Sequence, residues 1–376
     1  MKILYFTYGY SPHDYRFSTA INACGHEVYY MNINPSPTLE QRSLPEGVHS
    51  VSWWGNQMKR ELLDFPKMIR EFRRELSRIK PDIVHTGPIQ SVAPIAVRSG
   101  FQPIVTMSWG SDLLRDANKN CIKKRITRYV LNNSKVLIGD CRAVLKKASS
   151  FGFPKEHTVL FPWGVNLDHF VKRKDNDMRR ELGWTDEFIV LSNRSWEPIY
   201  GVENVIRALY EARKECSDLK MILVGSGSLK KRIMTLIKEL ELQEYIHIAG
   251  RINYEDLPAF YSASDLYVSA SKSDGSSVSL LEAMASSVPV LVSDIPGNRE
   301  WVVHNENGWL FKSEDVNDLT NAMIHARESV SEFGTMVEKS KKIVSTNADW
   351  NKNYKKLNAA YQMALELNRS GRINDE

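Results

Sequence analysis

Asp274 and Glu282, two carboxylates eight positions apart, bracket the centre of the stretch "SDGSSVSLLEAMASS", which runs from Ser273 to Ser287. Gly275 allows a backbone to approach a ligand closely. The run after it reads as a helix whose first amides, at Ser276, Ser277 and Val278, sit at the positive end of its dipole. Such a start is a ready site for a diphosphate. Carboxylates beside an anion site repel phosphate and suit hydroxyl groups, which donate strongly to an ionised acceptor. The pattern therefore fits a long ligand, with a sugar hydroxyl on one side, a ribose on the other and the diphosphate between. By pattern alone the same residues describe equally well a helix capped by Ser276 or Ser277, with Glu282 on its surface.

A helix start at the end of a strand needs a sheet to hold it. In the first half, short apolar runs at "KILYFTY", "HEVYYMN", "DIVHT", "PIVTMSW" and "KVLIGD" alternate with helix-length segments. The second half repeats the plan with "FIVLSN", "KMILVGSG", "YIHIAGRI", "DLYVSAS", "VPVLVSD" and "GWLFK". Buried strands alternating with helices predict a parallel, helix-covered sheet in each half, with ligands held beyond the carboxyl ends of the strands. Between the halves, "VLFPWGVNLDHFVKRKDND" loses the apolar rhythm and reads as a linker. The expected domains are 1–170 and 171–345, with a last amphipathic helix, about 346–376, returning to the first.

A chain of 376 residues, 42% hydrophobic and 25% charged, suits two globular domains. No apolar run approaches the ~18 residues of a membrane span, and "MKILYFTYGY" does not read as a signal peptide, so a cytoplasmic protein is expected. Cys24, Cys121, Cys141 and Cys216 lie far apart, which points away from a disulfide framework and a zinc site. Charge is uneven. Up to Lys172 there are 24 Lys and Arg against 14 Asp and Glu, and after it 26 against 31. The basic stretches "PKMIREFRRELSRIK" and "NKNCIKKRITRYVL" read either as solvated helix faces or as a surface for an anionic bilayer on the inner side of the membrane. No nucleic-acid motif accompanies the charge.

The run "SKSDGSSVSLLEAMASSVPVLVSDIPGNREWVVHNENGWLF" resembles the donor-site signature of retaining glycosyltransferases of the GT-B fold, in particular family 4. There an acidic residue and, eight positions on, a Glu precede "A-M-A", a "P-V" strand, a Pro-Gly loop and an "N-G" turn. "LVGSGSLKKRI", "IHIAGRINYEDLPAFYSASDLYVSAS", "FPWGVNLDHF" and the crossing helix after Trp350 extend the resemblance over most of the chain. It implies two Rossmann-like domains facing across a cleft, with the nucleotide-sugar donor on the C-terminal domain and the acceptor on the N-terminal one.

Residue by residue, the resemblance implies a diphosphate held by Arg194 and by the amides of Gly275, Ser276 and Ser277. Ribose falls to Glu282 and the transferred sugar to Asp274, where the family usually has Glu. Gly225 and Gly227 would let the backbone pass close to the donor, and Arg251 with Ile252 would lie where the base is read. "GSGSLKK" is no dinucleotide fingerprint, because Lys230 stands at the third glycine position; this tells against a nicotinamide dehydrogenase. Two positions depart from the family: Tyr200 replaces the second diphosphate cation, a Lys, leaving Lys272 or Lys230 to compensate, and Trp109 replaces a sugar-contacting His. Asp112, His13, Asp14 and Arg16 are then the candidates for sugar and acceptor contacts, Asp112 being equally suited to cap a helix before "LLRDA".

The expected activity is metal-independent, retaining transfer of a hexosyl group from a nucleoside diphosphate sugar, UDP or GDP, to a glycan, lipid-linked or small-molecule hydroxyl. Arg194, Asp274 and Asp112 are its expected catalytic groups, with no resident cofactor. Cell-surface polysaccharide or glycoconjugate biosynthesis is the expected setting. The departures at Tyr200 and Trp109 suit an alternative, a catalytically weak protein that binds nucleotide sugar or glycan.

Overall fold

The computed structural model describes residues 1–34, 40–57, 64–173 and 177–373, without the side chains of 371–373. The chain divides into two compact units, Met1–Pro162 with Asn351–Glu376, and Trp163–Trp350. The borders expected at 170/171 and 345/346 both lie inside the second unit. Val165 N–H donates to Ala348 O (2.8 Å) and Trp350 N–H to Val165 O (3.0 Å), so the incoming and outgoing segments pair with each other there. Residues 174–176 of the expected linker and 374–376 of the expected last helix lie outside the described residues.

Among the described residues the first unit holds seven strands: β1 (Lys2–Thr7), β2 (Glu27–Asn32), β3 (Val48–Ser50), β4 (Ile83–Thr86), β5 (Ile104–Met107), β6 (Val136–Gly139) and β7 (Thr158–Leu160). They pair in parallel in the order β3-β2-β1-β4-β5-β6-β7. β4, β5 and β6 are buried throughout. Helices on both faces explain why their sequences read as continuous apolar runs rather than alternating ones. The helix Phe65–Ile79 shows the complementary period: Met68, Phe72, Leu76 and Ile79 form its buried stripe, while its basic residues face outward. The helix Lys356–Ile373 belongs to this unit and packs on β4 to β7, burying Leu357, Ala360, Tyr361 and Ala364.

The second unit holds β8 (Phe188–Asn193), β9 (Leu219–Val224), β10 (Ile246–Gly250), β11 (Leu266–Ser269), β12 (Val290–Ser293) and β13 (Trp309–Phe311). All are parallel, in the order β10-β9-β8-β11-β12-β13. From β8 the chain winds outward through β9 and β10, then crosses back and winds the other way from β11. β8 and β11 are therefore neighbours, with Leu266 opposite Val190 and Tyr267 opposite Leu191, and the loops that follow them touch where Lys272 N–H donates to Ile199 O (2.8 Å). A crevice at such a switch point is where open parallel sheets bind ligands. In the first unit the corresponding pair is β1 and β4.

Candidate active site

Arg194 follows the last residue of β8, and Asp274 lies in the loop after β11, so the switch point brings them together. The Arg194 Nη2 donates to Asp274 Oδ2 at 2.5 Å, with only 10% and 17% of the two side chains exposed. Its Nη1 donates to Ser277 Oγ (2.6 Å) and Ser279 Oγ (2.9 Å), both at the start of the helix Val278–Ala285. Tyr267 on β11 reaches the same cluster, its hydroxyl 2.8 Å from Ser279 Oγ. Burial draws the Arg194 pKa down, but the adjacent Asp274 carboxylate, together with Tyr200, Tyr267 and Tyr261, more than offsets it and holds the guanidinium above its ordinary value. The cation is therefore permanent.

Ser277 occupies the position before the helix but makes no capping bond through its side chain. Its hydroxyl serves Arg194, and that of Ser276 accepts from the indole of Trp301 (3.1 Å). A plain Ser-capped helix is thus not what these residues build. Glu282 is not on the surface either. Only 6% exposed, it accepts from the Tyr261 hydroxyl at 2.8 Å, and that hydroxyl in turn accepts from Asn193 Nδ2 at 3.1 Å. Burial, followed by the Glu282 charge, pushes the Tyr261 phenol well above its usual range, so it stays a proton donor.

The glycines act on protein backbone. A Cβ at Gly225 would lie 2.5 Å from Arg194 O and one at Gly227 2.4 Å from Trp196 O, so both let the turn after β9 lie against the Arg194–Trp196 segment. Gly297, in the Pro-Gly loop after β12, approaches the Asp274–Gly275 backbone just as closely. Arg251 is exposed directly after β10, and Ile252 is half-buried against aliphatic and aromatic neighbours.

At the position expected for a second cation, the Tyr200 ring faces Arg194, its centroid 4.2 Å from the guanidinium carbon. Lys272 is held by Glu314 at 2.5 Å, and Lys230 is exposed on the first turn of the helix Lys230–Glu239.

In the first unit, His13 and Trp109 meet edge to face with ring centroids 5.8 Å apart. Arg16 is partly exposed on the His13 helix. Two of the expected contact residues instead hold structure. Asp14 is fully buried as the third residue of its helix, where it accepts from Ser11 N–H (2.9 Å) in a capping box and from the Tyr5 hydroxyl (3.2 Å). Burial pushes its carboxyl up to about 6. Asp112, 5% exposed, accepts from the backbone of Ile89, Trp109 and Leu113 and from the Ser108 hydroxyl, tying the loop after β5 to the loop after β4. Both its oxygens are engaged, and through the Trp109 amide it holds that residue in place. Burial raises its pKa against those four bonds.

Ser279 and Tyr267 were not singled out by sequence, although Ser279 stands two residues beyond Ser277. What joins them is the side-chain chain Tyr267, Ser279, Arg194, which depends on the β8 and β11 pairing.

Two Rossmann-like parallel-sheet units, one carrying a cation and a helix start at its switch point, make the architecture of the GT-B class. The family model described as glycosyl transferases group 1 matches residues 174–360, and that described as glycosyl transferase 4-like matches residues 2–140. The chain belongs to the GT-B glycosyltransferases. It is 22% identical to the alpha-monoglucosyldiacylglycerol synthase of Acholeplasma laidlawii, over 84% of each chain. It is 26% identical to a GDP-mannose-dependent alpha-(1-6)-phosphatidylinositol monomannoside mannosyltransferase of Mycolicibacterium smegmatis, over 63% of this chain and 64% of the relative. Among solved structures, the sucrose-phosphate synthase of Thermosynechococcus elongatus superposes with a TM-score of 0.80 at 18% identity, covering 96% of this chain and 98% of that one. Anabaena HepE in complex with UDP-glucose gives 0.77 at 18% identity, over 96% and 99%. Among the described residues no helix is long and apolar enough to cross a membrane.

Proposed function

We propose that this protein is a family 4 retaining glycosyltransferase, moving a hexosyl group from a UDP- or GDP-sugar to an acceptor hydroxyl in cell-surface polysaccharide or glycoconjugate biosynthesis. The observation that carries the reading is Arg194, fixed by Ser277, Ser279 and Asp274 at the start of the helix Val278–Ala285. A permanent cation beside a helix start favours the charge that grows on a departing diphosphate, the electrostatic term by which such a site speeds reaction. In the step itself the bond from the anomeric carbon to the phosphate oxygen breaks, the bond to the acceptor oxygen forms on the same face, and the acceptor proton passes to the phosphate. Such a route requires no carboxylate base. It suits a site where Asp274 is paired with Arg194 and Glu282 is hydrogen-bonded to Tyr261. Arg194 and the helix start would take over the role of a metal, and no resident cofactor is invoked.

Glu282 is assigned to the ribose, Asp274 to the transferred sugar, and Arg251 with Ile252 to the base. Gly225 and Gly227 support the Arg194 loop. His13, Arg16 and Trp109 are the acceptor candidates. A lipid-linked acceptor agrees with the glycolipid names of the two relatives and with the exposed basic helix Cys121–Asn132; the protein would then work at the cytoplasmic face of an anionic membrane.

A thermal-shift screen of UDP, GDP, ADP and CMP, with Arg194→Ala and Glu282→Ala as controls, tests the donor site. UDP or GDP should raise the melting temperature of the wild type and of neither variant; an unchanged response in Glu282→Ala would remove the ribose assignment. Tyr200 at the Lys position favours one second reading, a nucleotide-sugar binding protein, and saturable binding without transfer or hydrolysis for any donor would select it.

A further inference from the structure

Asp274 places a carboxylate on the cation that the diphosphate is to use. Nη2 of Arg194 is paired with Asp274, Nη1 is committed to two serine hydroxyls, and Nε is buried without a hydrogen-bond partner among the described residues. Nη2 keeps one N–H that Asp274 does not use, so a phosphate reaches the guanidinium immediately beside the Asp274 carboxylate or by displacing it. Both side chains are largely shielded from solvent, so the field of the carboxylate is weakly screened. A group there that served only to hold phosphate would not be an anion.

The chemistry of the two ligands differs in charge. In a nucleoside diphosphate sugar the terminal phosphate is linked on one side through the anhydride and on the other to the sugar, which leaves one ionisable oxygen, and the sugar adds hydroxyl donors. After transfer the terminal phosphate keeps only the anhydride link and ionises a second time near neutral pH, as a phosphomonoester does with a pKa of about 6, and the sugar hydroxyls have left with the acceptor. A carboxylate beside the site gains a hydrogen-bond donor from the substrate and meets only added negative charge from the product. Resting on the donor-site reading above, we infer that Asp274 is a specificity-determining residue that disfavours the free nucleoside diphosphate relative to its sugar ester. By taking Arg194 back after transfer, it hastens departure of the product. The carboxylate thus has two uses in one turnover, accepting from the sugar before transfer and competing for the guanidinium after it.

The test is calorimetric titration of the full chain, wild type, Asp274→Asn and Asp274→Ser, with UDP, GDP, UDP-glucose and GDP-mannose. In both variants the free nucleotide should bind about tenfold more tightly, equivalent to about 1.4 kcal/mol, and the sugar nucleotide no more tightly than in the wild type. The ratio of their dissociation constants then falls about tenfold, and inhibition by added product rises to match. A ratio within about twofold of wild type in both folded variants, as judged by melting temperature, overturns the inference while leaving the donor site intact. If no protein in the set binds any of the four nucleotides, the donor-site reading falls and this inference with it.

Discussion

The guanidinium of Arg194 lies 4.2 Å from the ring centroid of Tyr200, at the position where a second cation was expected. The ring adds no charge; it gives the Arg194 cation an aromatic face to rest on. A cation–π contact contributes about 0.5 to 2 kcal/mol, more as it is desolvated. Tyr200→Ala should therefore weaken UDP or GDP binding by roughly 2- to 30-fold. Tyr200→Lys should restore affinity at low salt and make it more salt-dependent, because the added charge is partly solvated. Titration of the three proteins at two ionic strengths decides the matter, and equal affinities would show that the stack does not orient Arg194.

Tyr261 holds Glu282 from below. Its hydroxyl lies 2.8 Å from Glu282 Oε2 and is itself held by Asn193 Nδ2 at 3.1 Å. Removing that hydroxyl costs the carboxylate one charge-assisted hydrogen bond, about 1.5 to 3 kcal/mol. With Glu282 on the ribose, Tyr261→Phe should raise KM for the nucleotide sugar about three- to tenfold and leave kcat within about twofold. Steady-state kinetics over a range of donor concentration separates the two constants, and a fall in kcat alone would place Glu282 in the chemical step instead.

Gly297 fixes the height of the loop that carries Asp274. A Cβ there would lie 2.3 Å from Gly275 O and 2.5 Å from Asp274 O, distances that backbone can relieve only by moving. Overpacking of this kind costs about 1 to 3 kcal/mol. Gly297→Ala should lower transfer at least about tenfold, since small displacements of reacting groups are costly, and lower the melting temperature. A variant with wild-type activity would mean the loop tolerates the shift.

The strand positions were legible because the inner strands of both sheets are buried on two faces and write their place as apolar runs; among the described residues the strands of the second unit stand where "FIVLSN" to "GWLFK" place them. β3 and β7 escaped notice. Each has three residues, lies at a sheet edge and is only partly buried, so "VHS" and "TVL" carry no such signal. In the site, Arg194, Asp274 and Glu282 could be singled out from one motif and one strand end. Their pairing with Ser279, Tyr267 and Tyr261 could not, since it depends on which strands become neighbours. Asp14 and Asp112 are ambiguous in sequence: an acidic residue near a strand end suits a ligand contact, and capping and loop tethering use the same residue type at the same place.

Asp14 also leaves a mark on stability. Burial raises its carboxyl from 3.8 to about 6 in the folded chain. The folded state therefore holds this proton more tightly than the unfolded one. The stability so contributed is fully present below pH 3.8 and is lost as the pH rises through about 6. Two units correspond to about 3 kcal/mol. His85, held neutral by burial down to about 3, slopes the other way, losing stability as the pH falls below its usual range. The two are separated by subtraction. Asp14→Asn, which keeps an acceptor for the Ser11 amide, should melt relatively higher at neutral pH than at pH about 4, with the difference tracking the Asp14 titration. A constant difference between the two proteins across that range would rule out an ionising Asp14.

The helix Cys121–Asn132 buries Thr127, Val130 and Leu131 and packs Ile126 against the core. On its outer side Ile122 is 64% exposed and Tyr129 40%, among the exposed cations Lys124, Arg125 and Arg128. Apolar side chains set among cations suit an interface with anionic lipid, each basic residue near the surface adding about 1 kcal/mol and the apolar ones inserting below the headgroups. Sedimentation with phosphatidylglycerol vesicles should carry the protein down at low salt, whereas phosphatidylcholine vesicles should not. Ile122→Asp should weaken the association at least about tenfold without altering the folded stability, because the side chain is already in water. Lys124→Glu with Arg128→Glu should abolish it. Equal sedimentation of wild type and both variants would return this helix to the role of a solvated face, and the acceptor would then be sought among water-soluble glycans.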